Sequence, residues 1–188
     1  MSKDINTRVC PVERAGSLDN SLRRLVHNPS KILKPFIKKG MTVLDLGCGP
    51  GFFTTEIANM LDKSGKVIAA DFQQGMLDKV KRKILGTDLE QKIELHKCLV
   101  DRIGIREKVD FVLAFYMVHE VPDQANLFKE LKSLLKPGGQ LYIIEPKFHV
   151  SGKAFDAMIQ RLVSTGFEIA EKPGVFFSRA VLLTIMEL

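Results

Sequence analysis

Apolar and polar positions along the chain follow two alternating periods. Nearly unbroken apolar runs at 42–46, 67–71, 109–115 and 141–144 read as strands covered on both faces, with Ile93-Glu94-Leu95-His96 a shorter, half-polar one. Between them apolar residues recur at helical spacing, over about 52–62, Met76–Leu85, Asn126–Leu135 and 153–165; Met76, Leu77, Val80 and Ile84 share one such face. Pro29, following His27-Asn28, reads as a first-turn proline opening a helix that ends near Gly40. Lys63-Ser64-Gly65-Lys66 reads as a turn, and Pro137-Gly138-Gly139 as the stop of the helix before the fifth strand. Towards the end, Phe167-Glu168-Ile169-Ala170, a turn at Lys172-Pro173-Gly174 and a long strand from Phe177 to Met186 predict an antiparallel hairpin at the sheet edge. Strand and helix alternate throughout, so the expected class is α/β, a largely parallel sheet with helices on both faces.

Length and composition narrow the picture to one domain: 188 residues, 45% hydrophobic and 27% charged, are enough for a full core. No run of about 18 apolar residues is present, and Met1-Ser2-Lys3-Asp4-Ile5-Asn6 lacks the apolar stretch of a secretory signal. Cys10, Cys48 and Cys98 are too few and too scattered for a disulfide framework or a zinc site. The expectation is a cytoplasmic protein with free thiols, no metal and no membrane partner. The net charge of +6 sits entirely in residues 1–39, where nine Lys or Arg face three acids. Those bases alternate with Leu22, Leu25, Val26, Ile32, Leu33, Phe36 and Ile37 as in amphipathic helices. No aromatic side chains interleave with them for base stacking, so nucleic acid is not the expected partner. The pattern carries no signal for an oligomer.

The chemistry concentrates at the end of the first strand. Val43-Leu44-Asp45-Leu46 runs straight into Gly47-Cys48-Gly49-Pro50-Gly51, and twenty residues past Gly51 a second apolar run, Val67-Ile68-Ala69-Ala70, ends on Asp71. Strand, glycine turn, helix, strand and terminal carboxylate make a nucleoside-binding unit. The turn needs glycine because the ligand lies against bare backbone, and Asp71 is placed to accept from the two hydroxyls of a ribose. A dinucleotide fingerprint, G-x-G-x-x-G, would need glycine at position 52, which is Phe52. Asp45 would also repel a pyrophosphate and attract an ammonium.

Leu44 to Gly51 resembles motif I of the class I S-adenosylmethionine-dependent methyltransferases, and Leu134-Leu135-Lys136-Pro137-Gly138-Gly139-Gln140-Leu141 is similar to that family's post-helix signature. The resemblance covers about residues 30–188 and implies a Rossmann-like sheet of seven strands, mostly parallel, the last inserted antiparallel beside the fifth. On that basis residues 1–39 form a helical lid segment of the same domain and 40–188 the methyltransferase domain. The resemblance places Gly47, Cys48, Gly49 and Gly51 along the methionine part and ribose of S-adenosylmethionine. It further implies that Asp45 holds the methionine ammonium, directly through backbone or by water, and that Asp71 takes the ribose hydroxyls. Phe72 is placed to pack on adenine, or else is a core phenylalanine. Relatives carry a Gly-Asp-Ala-like segment after strand three; here Cys98 and Leu99 stand there, so adenine recognition falls to their backbone or to Asp101. Ala114 and Phe115, closing strand four, belong to the same cofactor site.

The next loop, Tyr116-Met117-Val118-His119-Glu120-Val121-Pro122, borders the transferred methyl because ligands of such sheets sit at the carboxyl ends of strands. His119 is the candidate base; the competing reading is a histidine that caps the loop. Tyr116 and Glu145 are candidate substrate contacts. There is no Asn-Pro-Pro-Tyr-type tetrapeptide after strand four, so the expected acceptor is a small molecule, and a basic lid would suit an anionic one. Two alternatives stay open: an arsenite-type methyltransferase using Cys98 and Cys10 as soft ligands, and a protein that binds S-adenosylmethionine without catalysis.

Overall fold

A computed structural model of the chain describes Val12 and residues 26–186. The sequence builds strands where β-branched and leucine residues run together: β1 (Thr42–Leu46), β2 (Lys66–Asp71), β3 (Ile93–Lys97), β4 (Val109–Phe115), β5 (Leu135–Pro146), β6 (Phe167–Glu171) and β7 (Ser178–Ile185). They form a single sheet in the order β3-β2-β1-β4-β5-β7-β6. β1 pairs in parallel with β2 and β4, β2 with β3, and β4 with β5, while β7 runs antiparallel to both β5 and β6. The seven-stranded, mostly parallel sheet with an inserted antiparallel strand is the arrangement the sequence implied.

Successive residues of each central strand face opposite sides, as the pleat requires. Val43, Phe111 and Leu113 pack into one core with α1 (Pro29–Leu33), α2 (Thr54–Met60) and α3 (Gln74–Ile84). Leu44, Val112 and Ala114 pack into the other with α4 (Gln124–Leu134) and α5 (Gly152–Ser164). Among the described residues no helix is long and apolar enough to cross a membrane.

Three expectations need correction. The helix opened by Pro29 ends at Leu33 rather than near Gly40, because Pro35 has no N–H to give the ladder; the chain continues in turns, with Phe36 and Ile37 both donating to the Leu33 carbonyl. Pro137-Gly138-Gly139 does not separate helix from strand. α4 passes directly into β5, and these residues form a bulge, Val109 pairing with Leu135 and Phe111 with Gln140. The last turn falls at Phe176-Phe177 rather than Lys172-Pro173-Gly174, and Phe177 adopts a left-handed φ of 49°. Apart from Val12, residues 1–25, including most of the expected lid and Cys10, lie outside the described residues.

Candidate functional site

The strand order reverses between β1 and β4, and a cavity of about 490 Å³ opens at their carboxyl ends. One end of it is made by the turn after β1. Gly47 and Gly49 hold left-handed φ values of 69° and 53°. A Cβ on Gly47 would stand 2.8 Å from Met117 Cβ, so the turn can pass Met117 only as glycine; at Gly49 a Cβ would meet nothing within 4 Å, leaving bare backbone towards the cavity. The N–H groups of Gly47 and Cys48 both donate to the Ala70 carbonyl, at 2.8 and 3.0 Å, which ties the turn to the tip of β2.

Asp71 closes this end. Its Oδ2 accepts from Gly49 N at 2.9 Å and its Oδ1 from Gln73 N at 2.8 Å, so the carboxylate is fixed by backbone on both sides. Burial raises its pKa, against the lowering pull of the Gln73, Gly49 and Phe72 amides. Asp45 is buried at the floor, where the Thr54 hydroxyl donates to its Oδ2 at 2.6 Å. Phe72, half-buried, lines the cavity as well as packing on the core.

The other end is assembled from distant segments. Glu145, at the end of β5, is fully buried. Its Oε1 accepts from the N–H of Val118 at 2.9 Å and of His119 at 3.3 Å, and its Oε2 accepts from His119 Nδ1. The loop is therefore capped by Glu145, not by His119, and Glu145 acts behind the histidine rather than as a substrate contact. Burial disfavours the imidazolium, but the hydrogen bond and charge of Glu145, helped by Glu120, outweigh it and leave the His119 pKa raised. Beside it the Glu120 carboxyl, half-buried among His119, Glu145 and Asp71, is pushed up to about 7, chiefly by desolvation.

Tyr116 forms the wall next to His119 in a left-handed conformation, φ 59°, unusual for a bulky residue. A closed network holds it there. Its hydroxyl lies 2.5 Å from Ser178 Oγ and 3.0 Å from His27 Nε2; Ser178 Oγ donates to the Phe176 carbonyl, and His27 Nε2 stands 3.1 Å from that same carbonyl. A carbonyl only accepts, so this network assigns the proton to Nε2 and directs the Tyr116 hydroxyl proton to Ser178.

Of the expected site residues, Asp45, Gly47, Cys48, Gly49, Asp71, Phe72, Cys98, Leu99, Phe115 and His119 all line the one cavity. Gly51 and Ala114 stand behind it: Gly51 packs towards Val80 and accepts from Thr55, and Ala114 is fully buried in the core. Asp101, the other adenine candidate, also lines the cavity, and its carbonyl accepts from Asn126 on α4. Sequence reasoning missed His27, Ser178, Phe148 and His149. Six carboxylates line the cavity (Asp45, Asp71, Asp101, Glu120, Asp123, Glu130) against one fixed positive charge, Arg102, so its described walls favour a cationic ligand. Burial raises the Cys98 thiol to about 12 and the Cys48 thiol well above its ordinary value, and no cluster of three metal-ligating side chains occurs among the described residues. Cys10, the other cysteine of the arsenite reading, lies outside the described residues.

Residues 37–173 match the methyltransferase domain family. The chain belongs to this family. The methyltransferase is also similar over nearly its whole length to an S-adenosylmethionine-dependent methyltransferase from Aquifex aeolicus, with a TM-score of 0.84, 27% identity, and coverage of 95% of this chain and 100% of that one. A glycopeptide N-methyltransferase shares the fold at a TM-score of 0.71 and 13% identity, over 84% of this chain and 89% of that one. In sequence the methyltransferase is 36% identical over 110 residues to the demethylmenaquinone methyltransferase of Lactobacillus johnsonii, covering 58% of this chain and 45% of that protein. The corresponding enzyme of Bacillus cereus is 30% identical over 109 residues, 58% of this chain and 46% of that protein. The chain thus spans less than half the length of these curated relatives. The donor end fits S-adenosylmethionine: bare backbone at Gly49, an accepting carboxylate at Asp71 and acidic walls suit a nucleoside that carries a sulfonium.

Proposed function

We propose that this methyltransferase moves a methyl group from S-adenosylmethionine to a small-molecule acceptor by in-line displacement. The observation that carries the reading is one cavity lined by two differently built groups, Asp71 with the glycine turn and His119 held from behind by Glu145. When bound, S-adenosylmethionine supplies a methyl already activated by the sulfonium. Asp71 takes the ribose hydroxyls, Gly47, Cys48 and Gly49 face the methionine part with open backbone, and Asp45 carries the charge that balances the ammonium. Phe72, with the backbone of Cys98 and Leu99, borders the adenine.

On the acceptor side the residues orient and deprotonate. Glu145 engages Nδ1, which leaves Nε2 of neutral His119 to take the proton an acceptor loses. Tyr116 and Met117 wall the space and exclude water. The names of the curated relatives support a small acceptor. An anionic acceptor would have to find its counter-charge in Arg102 or in the basic residues 1–25.

The test is calorimetric titration of S-adenosylmethionine and S-adenosylhomocysteine, with NADH as control, followed by an acceptor screen that follows release of S-adenosylhomocysteine. Micromolar binding of the first two with turnover supports the reading. Binding without turnover of any acceptor favours the silent alternative, and binding of NADH alone overturns the proposal.

A further inference from the structure

Beside the cavity mouth the chain exposes three phenylalanines, of which Phe176 and Phe177 serve neither the core nor the proposed chemistry, while Phe148 meets Tyr116 and His149 edge-on. Phe148 is 71% exposed, Phe176 61% and Phe177 60%. They belong to two connections, 147–151 after β5 and 172–177 before β7, which are joined into one ridge. Lys147 N donates to the Phe177 carbonyl at 3.1 Å, and Arg179 Nε donates to the Val150 carbonyl at 3.1 Å. The left-handed φ of Phe177 and the edge-on contact of its ring with Phe176, centroids 4.5 Å apart, turn both rings outward together. Phe148 also lines the cavity, as do Leu99 and Val100, which are 51% and 56% exposed.

The charge of the ridge is one-sided. The two connections carry Lys147 and Lys172, both exposed, with His149, and no acid; Lys153 and Arg179 flank them, and the acid at their margin is Glu171. Exposed phenylalanines set among lysines match an anionic lipid surface: rings enter the acyl boundary while ammonium groups meet the headgroups. A single-stranded nucleic acid fits less well, because the rings of Phe176 and Phe177 stand at 83° and offer no stacked platform. A peripheral contact of this kind needs no spanning helix. We propose that the ridge of Phe148, Phe176 and Phe177 docks the protein on an anionic bilayer, beside rather than across the acidic cavity. The inference does not depend on which acceptor the site takes.

The experiment is co-sedimentation of the full chain with phosphatidylglycerol vesicles, with phosphatidylcholine vesicles as the neutral control. The expected result is binding to the anionic vesicles that falls roughly tenfold in a Phe176→Ser/Phe177→Asn variant, asparagine being chosen because it accepts the left-handed backbone. Calorimetric binding of S-adenosylmethionine to that variant, unchanged, separates the ridge from folding and from the donor site. Lys147→Gln/Lys172→Gln should weaken binding to phosphatidylglycerol and reduce its dependence on salt. No binding to phosphatidylglycerol, or binding that both variants retain in full, overturns the proposal. Failure on vesicles together with phenylalanine-dependent capture of a random-sequence RNA overturns it in favour of a nucleic-acid surface.

Discussion

The two ends of the cavity are held by different kinds of bond. The donor end is fastened largely by backbone amides, those of Gly47 and Cys48 to the Ala70 carbonyl and those of Gly49 and Gln73 to one side chain, Asp71. Its residues come from two neighbouring strand ends. The acceptor end is fastened by side chains that bridge long stretches of chain, Glu145 to His119, and Tyr116 to His27 and Ser178. A backbone-fastened site tolerates many substitutions nearby, because few of them remove a bond. A side-chain-fastened site can be dismantled by one substitution or rebuilt by a few. Substitution should therefore alter the acceptor side more readily than the donor side.

The largest effect should come from Glu145→Ala, which takes the anchor from His119 and the caps from Val118 and His119. Turnover should fall by about 10²–10³-fold, with affinity for S-adenosylmethionine within about twofold by calorimetry; a matching collapse of donor binding would break the distinction between the two ends. Asp71→Ala should act in the opposite place. Loss of its charge-assisted bonds should weaken S-adenosylmethionine by roughly 1–3 kcal/mol, read as a higher Kd, and an unchanged Kd would remove Asp71 from the site.

The pH dependence sharpens the same contrast. Because Glu145 holds the His119 pKa above its ordinary value, the neutral base appears only as pH rises through that raised value, and turnover should climb there. Glu145→Gln should move the rising limb to lower pH, while donor affinity stays level across it. The protonated His119–Glu145 pair also supports the fold below the ordinary histidine range, and that support is lost as pH passes the raised value. Glu120 has the related sign for an acid. Raised from 4.5 to about 7, it holds its proton more tightly folded than unfolded, so the stability it contributes fades across that window. Glu120→Gln should accordingly raise Tm relative to the unsubstituted protein above pH 7 and leave it unchanged below 4.5, as followed by thermal melts.

The smallest effect is Tyr116→Phe. It removes one hydroxyl from a network whose other members can still pair, costing about 1 kcal/mol of stability. The acceptor KM should shift more than kcat, and donor affinity should not move.

How much of this was legible in the sequence follows from the same difference in construction. Asp45, Gly47, Gly49 and Asp71 could be read because one short stretch of chain contains all four, and positive φ and close approach demand glycine in order. His119 could be named from its place after a buried strand. Its partner was named too, but as a substrate contact, although a lone carboxylate ending an apolar strand already calls for a buried hydrogen-bond donor. His27, Tyr116 and Ser178 are separated by 89 and 62 residues, and nothing local marks them as neighbours. Pro35 was legible and was passed over, since the helical period continued through it. The bulge at Lys136 to Gly139 was not: Pro-Gly-Gly breaks either a helix or a strand, and only the register with β4 shows which.

The place of β7 has a consequence for how the protein is made. It leaves the ribosome after β6 yet lies inside it in the sheet, between β6 and β5. Until Ser178–Ile185 has emerged, β5 has no neighbour on that side, and an apolar strand edge stays open to pairing with other chains. Every segment of the donor end is available by then, while Tyr116 still waits for the Ser178 hydroxyl. The nascent chain can thus assemble its nucleoside half early, but its acceptor wall is completed only with the insertion of this late strand.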